Sequence, residues 1–454
     1  MLKKFSRTKL LLFIIDMFLI ILSINLAYFI RTREFITSYL GLNKGILTSL
    51  LMLAIYLLGF YVFDFYNISG KFIYTKFLAN IAGALILVSI ISIGLFYIFP
   101  FIVGRGVFII CLTLTCIFLS TWRLFYYIFF RQSLPKKYVL IIGTGKSAKE
   151  ICSLIKINPE YKVIGFIGIH SNISKSYEKN LENFSSLEEK INNHKIDNII
   201  VTIGAFQSKK VNKILINCKM KGIKIWDVPT FYELFSNKIP VQHINESWFL
   251  FTNGFEKLSN NVYKKLKRSL DILISFIILI TTFPFALIIA LAIKLDTKGP
   301  ILFIQERIGV NQKPFKLLKF RTMKSDAEKG SPVWAKENDP RVTRTGKIIR
   351  KIRLDELPQL INIIKGEMSL IGPRPERKYF VQKLMKKIPY YSLRFSIKPG
   401  LTGWAQVAFK YGDSIDDALE KLQYELYYIK NMSLLLDFRI LLKTIRIILF
   451  GMGR

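Results

Sequence analysis

Long apolar runs dominate the first third of the chain, at residues 10–30, 45–66, 77–99 and 106–130. Each approaches or exceeds the ~20 residues a helix needs to cross the hydrocarbon of a bilayer. The pattern predicts four transmembrane helices within residues 1–135. The first run is too long, and too lacking in a cleavage site, for a signal peptide. From residue 136 to 255 the runs shorten and alternate. "YVLIIGTGKSAKEICSLI" reads as strand, glycine turn and helix, and "YKVIGFIGI", "IDNIIVTIG" and "GIKIWDVP" read as further buried strands. Alternation of this kind predicts a Rossmann-like α/β domain with a parallel sheet.

A fifth apolar run, "SLDILISFIILITTFPFALIIALAIK", covers residues 269–294. Pro284 stands near its middle, where it removes a helical hydrogen bond and invites a kink. Lys264, Lys265, Lys267 and Arg268 precede the run, and Lys294, Lys298 and Arg307 follow it. Both flanks therefore favour the cytoplasmic side, and the pattern predicts a re-entrant helix–break–helix with its break at Pro284. The last part, residues 256–454, mixes short strands, loops and helices, the pattern of an α+β domain. Its final apolar stretch, with Arg and Lys interspersed, reads as a helix lying on the membrane surface.

Charge sharpens this picture. The 66 Lys and Arg residues against 31 Asp and Glu give a formal charge of +35, although 51% of residues are hydrophobic. A nucleic-acid binder carries its charge on a soluble fold, so no nucleic-acid partner is expected. Basic and apolar together suit a multi-pass inner-membrane protein facing anionic lipids and phosphorylated substrates. Lys3, Lys4, Arg7 and Lys9, then Lys71 and Lys76, then Arg131, Lys136 and Lys137 put the N-terminus and everything after the fourth run in the cytoplasm. Arg31, Arg33 and Lys44 run against that rule. Four cysteines form no disulfide framework, and all three histidines precede residue 250. The residues beyond 250 thus hold neither thiol nor imidazole, and any metal there must be bound by oxygen.

Candidate chemistry gathers in "RLDELPQLINIIKGEMSLIGPRP", residues 353–375. Pro358 belongs in a first helical turn, so the adjacent Asp355 and Glu356 are expected at the positive end of a helix. Adjacent residues point in different directions, so the two carboxylates are suited to different tasks. The plain alternative is that both are dipole partners. Arg350 precedes them, and Arg374 is clamped between Pro373 and Pro375, which reduces the entropy it loses on gripping a phosphate. Lys319 and Arg321 in "FKLLKFRTM" add positive charge on what reads as an amphipathic strand. Carboxylates and fixed arginines without His or Cys suggest phosphoryl chemistry with Mg²⁺.

Residues from about 264 to 454 resemble the bacterial sugar transferase family, the monotopic polyprenyl-phosphate phosphoglycosyl transferases. The resemblance runs in order through "KRSLDILIS", "FPFALIIALAIKLDTKGPILFIQERIG", "FKLLKFRTM", "IRKIRLDELPQLINIIKGEMSLIGPRP", "IKPGLTGWAQV" and "YELYYIKNMSLLLDFRILLKT". With four spans and an α/β unit ahead, the chain is similar to the long subclass, the undecaprenyl-phosphate galactose or glucose phosphotransferases. The resemblance implies transfer of a sugar-1-phosphate from a UDP-sugar to undecaprenyl phosphate with release of UMP, the first membrane step of exopolysaccharide, capsule or O-antigen assembly. It implies Asp355 as the nucleophile, Glu356 and Asp437 as Mg²⁺ ligands, and Arg374 with Pro373 and Pro375 as the nucleotide-phosphate site. A homodimer is compatible with it. Glu425 and Asp413 read as structural, and Trp404 as either a core aromatic or an interface anchor.

The glycine turn carries less. Gly143, Gly145 and Ala148 fit G-x-G-x-x-A after a strand, but no acid follows the second strand to grip a ribose. The α/β unit is therefore expected to serve structure, assembly or regulation without a cofactor, the alternative being a nucleotide or sugar-nucleotide ligand, and to be dispensable for chemistry. The rival reading, a tethered redox or dehydratase enzyme, calls for a Tyr-x-x-x-Lys, and residues 138–255 contain none.

Overall fold

In the computed structural model, residues 7–63, 65–66, 74–98, 104–130, 136–143, 145–158, 160–167, 181–182, 196–202, 209–324, 339–409 and 414–449 are described. Asp413 lies outside them. Two compact units divide the chain, one holding Met1–Ile199 and Gly204–Ile225, the other Ile200–Ile203 and Trp226–Arg454.

The first unit opens with helices α1 (Arg7–Thr32), α2 (Ile36–Leu40), α3 (Leu42–Val62), α4 (Tyr74–Ile98) and α5 (Arg105–Phe125). Four of these contain stretches long and apolar enough to cross a membrane, at Leu10–Thr32, Leu42–Val62, Phe77–Leu95 and Arg105–Phe129. Helix α1 packs on α5 and α3 on α4. Inside that apolar packing, Arg123 meets Asp16 at 2.6 Å, with the Phe65 ring 4.8 Å from the guanidinium. A five-stranded sheet follows, built from β1 (Lys137–Ile142), β2 (Tyr161–Ile167), β3 (Leu181–Glu182), β4 (Asn198–Val201) and β5 (Lys224–Asp227) in the order 3-2-1-4-5. The β1/β2 and β2/β3 pairs are parallel. That order is one half of a doubly wound nucleotide-binding fold and its return. Helix α6 (Lys146–Ile157) leaves the glycine turn, where Gly143 and Gly145 take φ of +114° and +95°, conformations open to glycine alone at low cost.

The second unit begins earlier than the apolar pattern predicts. Residues 226–255 were assigned above to the α/β domain, but α7 (Lys209–Met220) and β5 are followed by α8 (Val228–Ser236) and α9 (Glu246–Phe251), which build into the C-terminal core. Ile239 and Val241 are fully buried there, beside Leu360, Leu422 and Tyr428. Lys430 Nζ donates to Glu233 at 2.6 Å and lies 4.6 Å from the centre of the Trp248 ring. Trp404 Nε1 donates to the carbonyl of Asn237 at 2.9 Å, which settles Trp404 as a core aromatic. A hydropathy scan misses these contacts because their partners lie almost two hundred residues away in sequence.

Helix α10 (Asn261–Asp296) is a single 36-residue helix that contains Pro284 without ending at it. The expected break is thus a missing hydrogen bond inside a continuous helix. Thr282 Oγ1 donates to Ile278 O at 2.6 Å and Thr281 Oγ1 to Ile277 O at 2.9 Å, back-bonds of the kind that accompany helix bending, just ahead of the proline. Much of its length is apolar and exposed, as at Phe276, Ile280, Phe283, Ile288 and Leu291. Both ends nevertheless dock on the C-terminal unit. Arg268 donates to the carbonyls of Ile363 and Ile364, and Asp271 accepts from Ser369 Oγ at 2.7 Å. At the other end Ile289 and Ile293 bury against Phe320 and Ile349, and Asp296 accepts from the Thr345 amide at 3.0 Å.

Beyond α10 come the antiparallel hairpin β6 (Leu302–Ile308)/β7 (Pro314–Phe320), α11 (Arg344–Lys351), α12 (Gln359–Lys365), β8 (Ser369–Ile371) and α13 (Lys378–Met385). Strand β9 (Gly400–Thr402), parallel to β8, and helices α14 (Trp404–Ala408), α15 (Ile415–Asn431) and α16 (Leu434–Leu449) complete the unit. The terminal helix buries Leu436 and Ile440 in the core of the unit and leaves Leu435 and Phe438 exposed.

Candidate active site

Asp355 and Glu356 lie on a short 3₁₀ turn, Leu354–Glu356, entered through Arg353 in the left-handed region at φ +56°. Pro358 then occupies the N-cap of α12. The proline does introduce a helix, but the acids sit on the turn before it. Both are buried at 8% exposure. Three residues per 3₁₀ turn set neighbouring side chains about 120° apart, so the two carboxylates face different surroundings.

Glu356 is enclosed by cations. Its Oε1 accepts from Arg374 Nη2 at 2.8 Å, with Lys319 Nζ at 3.4 Å and Arg353 Nη1 at 3.7 Å. Burial pushes the Glu356 carboxyl up, but Arg374, Lys319 and Arg353 outweigh it and hold the group well below the usual carboxylate range. Asp355 behaves in the opposite way. Burial, and then the neighbouring Glu356 charge, raise it, while Lys319, Arg350 and Arg374 pull it back only in part. Its expected stabilisation by a helix end is therefore overridden. The pair is split into a firmly ionised Glu356 and a more basic Asp355. Burial likewise lowers Lys319.

Three local devices hold this arrangement. Asn362, almost fully buried on α12, accepts from the Leu318 amide at 3.1 Å and donates to Lys316 O at 2.8 Å. It pairs with β7 as a neighbouring strand would, and so fixes Lys319 beside the acids. Gly372, Gly400 and Gly403 let the β8 and β9 backbones approach so closely that a Cβ at any of them would collide with main-chain atoms. That crossing launches Pro373-Arg374-Pro375 toward Glu356. Gln406 on α14 meets the Arg374 guanidinium from the other side, at 3.3 Å. Sequence reading found the arginine and the acids but missed Asn362, Arg353 and Gln406, which carry no motif signal of their own.

The remaining predicted site residues fall elsewhere in the unit. Arg350 donates to Thr322 Oγ1 at 2.8 Å, within electrostatic range of Asp355. Arg321 turns to Thr297 O at 2.7 Å and Lys298 O at 2.9 Å, where it fastens the exit of α10. Asp437 accepts from Tyr428 Oη at 2.7 Å, and from Tyr263 Oη and Lys267 Nζ at 3.1 Å each, which fastens the entry of α10. Glu425 forms a buried ion pair with Arg394 at 2.7 Å. Among the described residues no group of three or more His, Cys, Asp or Glu side chains gathers as a metal cage. Mg²⁺ commonly needs only one or two carboxylates together with substrate phosphates; of the two predicted ligands, Glu356 stands in the acid pair and Asp437 is held by Tyr428, Tyr263 and Lys267.

Residues 262–451 match the profile of the bacterial sugar transferases, and residues 62–229 that of a CoA-binding domain. The chain is 40% identical over 241 residues to the UDP-N-acetylgalactosamine-undecaprenyl-phosphate N-acetylgalactosaminephosphotransferase of Aeromonas hydrophila, covering 53% of this chain and 56% of that protein. It is 35% identical over 275 residues to the UDP-glucose:undecaprenyl-phosphate glucose-1-phosphate transferase of Escherichia coli (strain K12), covering 58% and 57%. The exopolysaccharide production protein PSS of Rhizobium leguminosarum bv. phaseoli is 40% identical over 186 residues, 40% of this chain and 93% of that protein. The chain thus spans a little over half the length of the first two relatives.

Proposed function

The chain belongs to the bacterial sugar transferase family, and from that premise we propose that it transfers a sugar-1-phosphate from a UDP-sugar to undecaprenyl phosphate, releasing UMP. The observation that carries the reading is the division of labour in the acid pair. Glu356 is bound by Arg374, while Asp355 beside it is raised. Asp355 attacks the β-phosphorus of the UDP-sugar. The bond from that phosphorus to the bridging oxygen breaks, and UMP leaves with the electron pair. An aspartyl-phosphosugar remains. A phosphate oxygen of undecaprenyl phosphate then attacks the same phosphorus and frees Asp355, giving a polyprenyl-diphosphate sugar. Dividing one displacement into two is the usual advantage of a covalent nucleophile. Arg374 and Lys319 neutralise the incoming diphosphate. Glu356 is the residue that would hold Mg²⁺, which would supply further charge neutralisation when bound.

The membrane placement belongs to the same proposal. Helix α10 enters the bilayer from the cytoplasmic face of the inner membrane and returns to it. Docking of both its ends on one unit supports this, because the acid pair then stays at the water–lipid boundary where a soluble nucleotide-sugar and a buried lipid phosphate meet. The four apolar helices of the first unit anchor the chain as a bundle, and the product feeds exopolysaccharide, capsule or O-antigen assembly.

The deciding experiment uses UDP-sugar carrying label in the sugar or the β-phosphate, without lipid acceptor. Label should become protein-bound in the wild type and not in Asp355→Asn, whose turnover should fall by about 10⁴-fold or more. Near-normal turnover of Asp355→Asn would return Asp355 to an ordinary buried acid and end this mechanism.

A further inference from the structure

The segment Pro373-Arg374-Pro375 contains two residues without an N–H, so its position depends on what grips its carbonyls. Pro373 O accepts from the Gly400 amide at 2.8 Å, and Pro375 O from Arg307 Nη1 at 3.1 Å. The carbonyl of Arg374 itself accepts from Arg394 Nη2 at 2.9 Å. Arg394 is only 4% exposed, and all three guanidinium nitrogens are committed. Its Nε and Nη2 donate to the two oxygens of Glu425 at 2.8 and 2.7 Å, and its Nη1 donates to Tyr391 Oη at 2.8 Å. Glu425 stands on α15, in the buried face of a long helix, and so gives the guanidinium a rigid mount.

We propose that Arg394, oriented by Glu425, is a positioning residue that sets the backbone of Arg374 and thereby aims the Arg374 guanidinium at the substrate diphosphate. Three observations favour this over a purely structural pair. A buried ion pair is commonly no more stabilising than well-packed apolar side chains, so stability alone is a weak reason for it. The planar guanidinium can hold Glu425 with two nitrogens and still present Nη2 to a carbonyl, which a lysine cannot do. That carbonyl belongs to the residue whose side chain lies 2.8 Å from Glu356, the partner of the nucleophile. The proposal rests on the reading above that Arg374 meets the diphosphate.

The test is a double-mutant cycle on the full-length enzyme in lipid nanodiscs, with UMP release from UDP-glucose or UDP-N-acetylgalactosamine measured per folded molecule. Glu425→Gln and Arg394→Lys are each made in the wild type and in Arg374→Ala. If Arg394 acts through Arg374, each variant lowers kcat/KM by about tenfold in the wild type, with a raised KM for the UDP-sugar, and by less than about twofold in Arg374→Ala. The paired replacement Arg394→Met with Glu425→Leu removes both charges together and replaces any single variant that does not fold. Equal losses in both backgrounds, or wild-type kcat/KM per folded molecule, would overturn the positioning role. Normal turnover of Arg374→Ala alone would instead overturn the phosphate reading beneath it, and the proposal with it.

Discussion

Glu233 offers a sharp test of where the catalytic unit begins, because it sits in a stretch whose hydropathy assigns it to the α/β domain. In the structure its carboxylate is buried against Lys430 Nζ at 2.6 Å and Asn431 Nδ2 at 2.8 Å. Glu233→Ala leaves the Lys430 ammonium, itself 7% exposed, without its counter-charge. Removing one partner of a buried pair typically costs about 3–5 kcal/mol. The Trp248 face, 4.6 Å from Nζ, is there before and after the substitution and does not change the difference. In a unit of this size each kcal/mol lowers Tm by about 2–4 °C. Thermal unfolding of the detergent-solubilised protein should fall by roughly 6–20 °C, in the transition that carries the C-terminal unit, identified by limited proteolysis. Glu233→Met with Lys430→Met should recover most of the loss. A Tm within about 1 °C of wild type for Glu233→Ala would refute the placement of residues 226–255 in the C-terminal core.

Two further outcomes follow from the same geometry. On the proposed mechanism Asp355 must be ionised to attack, and burial with the Glu356 charge, which raise its carboxyl, should shift the acid limb of UMP release upward. Glu356→Gln removes a neighbouring charge that helps to raise Asp355, so in single-turnover pH profiles the limb should move to lower pH even as the plateau falls; a limb that stays or moves up would contradict the assignment of causes. Single cysteines near residues 262 and 300, at the two ends of α10, should both label from the cytoplasmic side of inverted membrane vesicles, and labelling from opposite sides would make α10 an ordinary span.

The sequence disclosed its architecture wherever structure follows from a local period. Apolar runs located the long helices, and the strand–turn–helix around Gly143 and Gly145 located the start of the parallel sheet. It was blind where a residue's role depends on a distant partner. Ile239 and Val241 are unmarked in the sequence, yet they are buried in one core with Leu360 of α12 and Leu422 of α15. Trp404 carried two readings until Asn237, 167 residues earlier, supplied an acceptor for its indole. Pro284 was legible as a kink, but a proline and two threonines do not reveal that the helix runs on through it.

The site repeats this division in a more instructive form. Asp355, Glu356 and Arg374 announced themselves by type and spacing, and Lys319 did so by lying in a basic strand. Their roles could not be read from type, since two adjacent acids look equivalent on paper. What separates them is the position of the cations. Arg374, Lys319 and Arg353 all converge on one oxygen of Glu356. The charge that would have depressed Asp355 is therefore spent on its neighbour, and the ionised neighbour in turn raises Asp355. Each of those cations depends on a residue with no chemical signature: Asn362 pairing with β7, a left-handed Arg353, and Arg394 fixed to Glu425 behind the loop. The reactivity of the acid pair is thus a property of the scaffold around it, and substitutions at these unmarked positions should alter chemistry without touching either carboxylate.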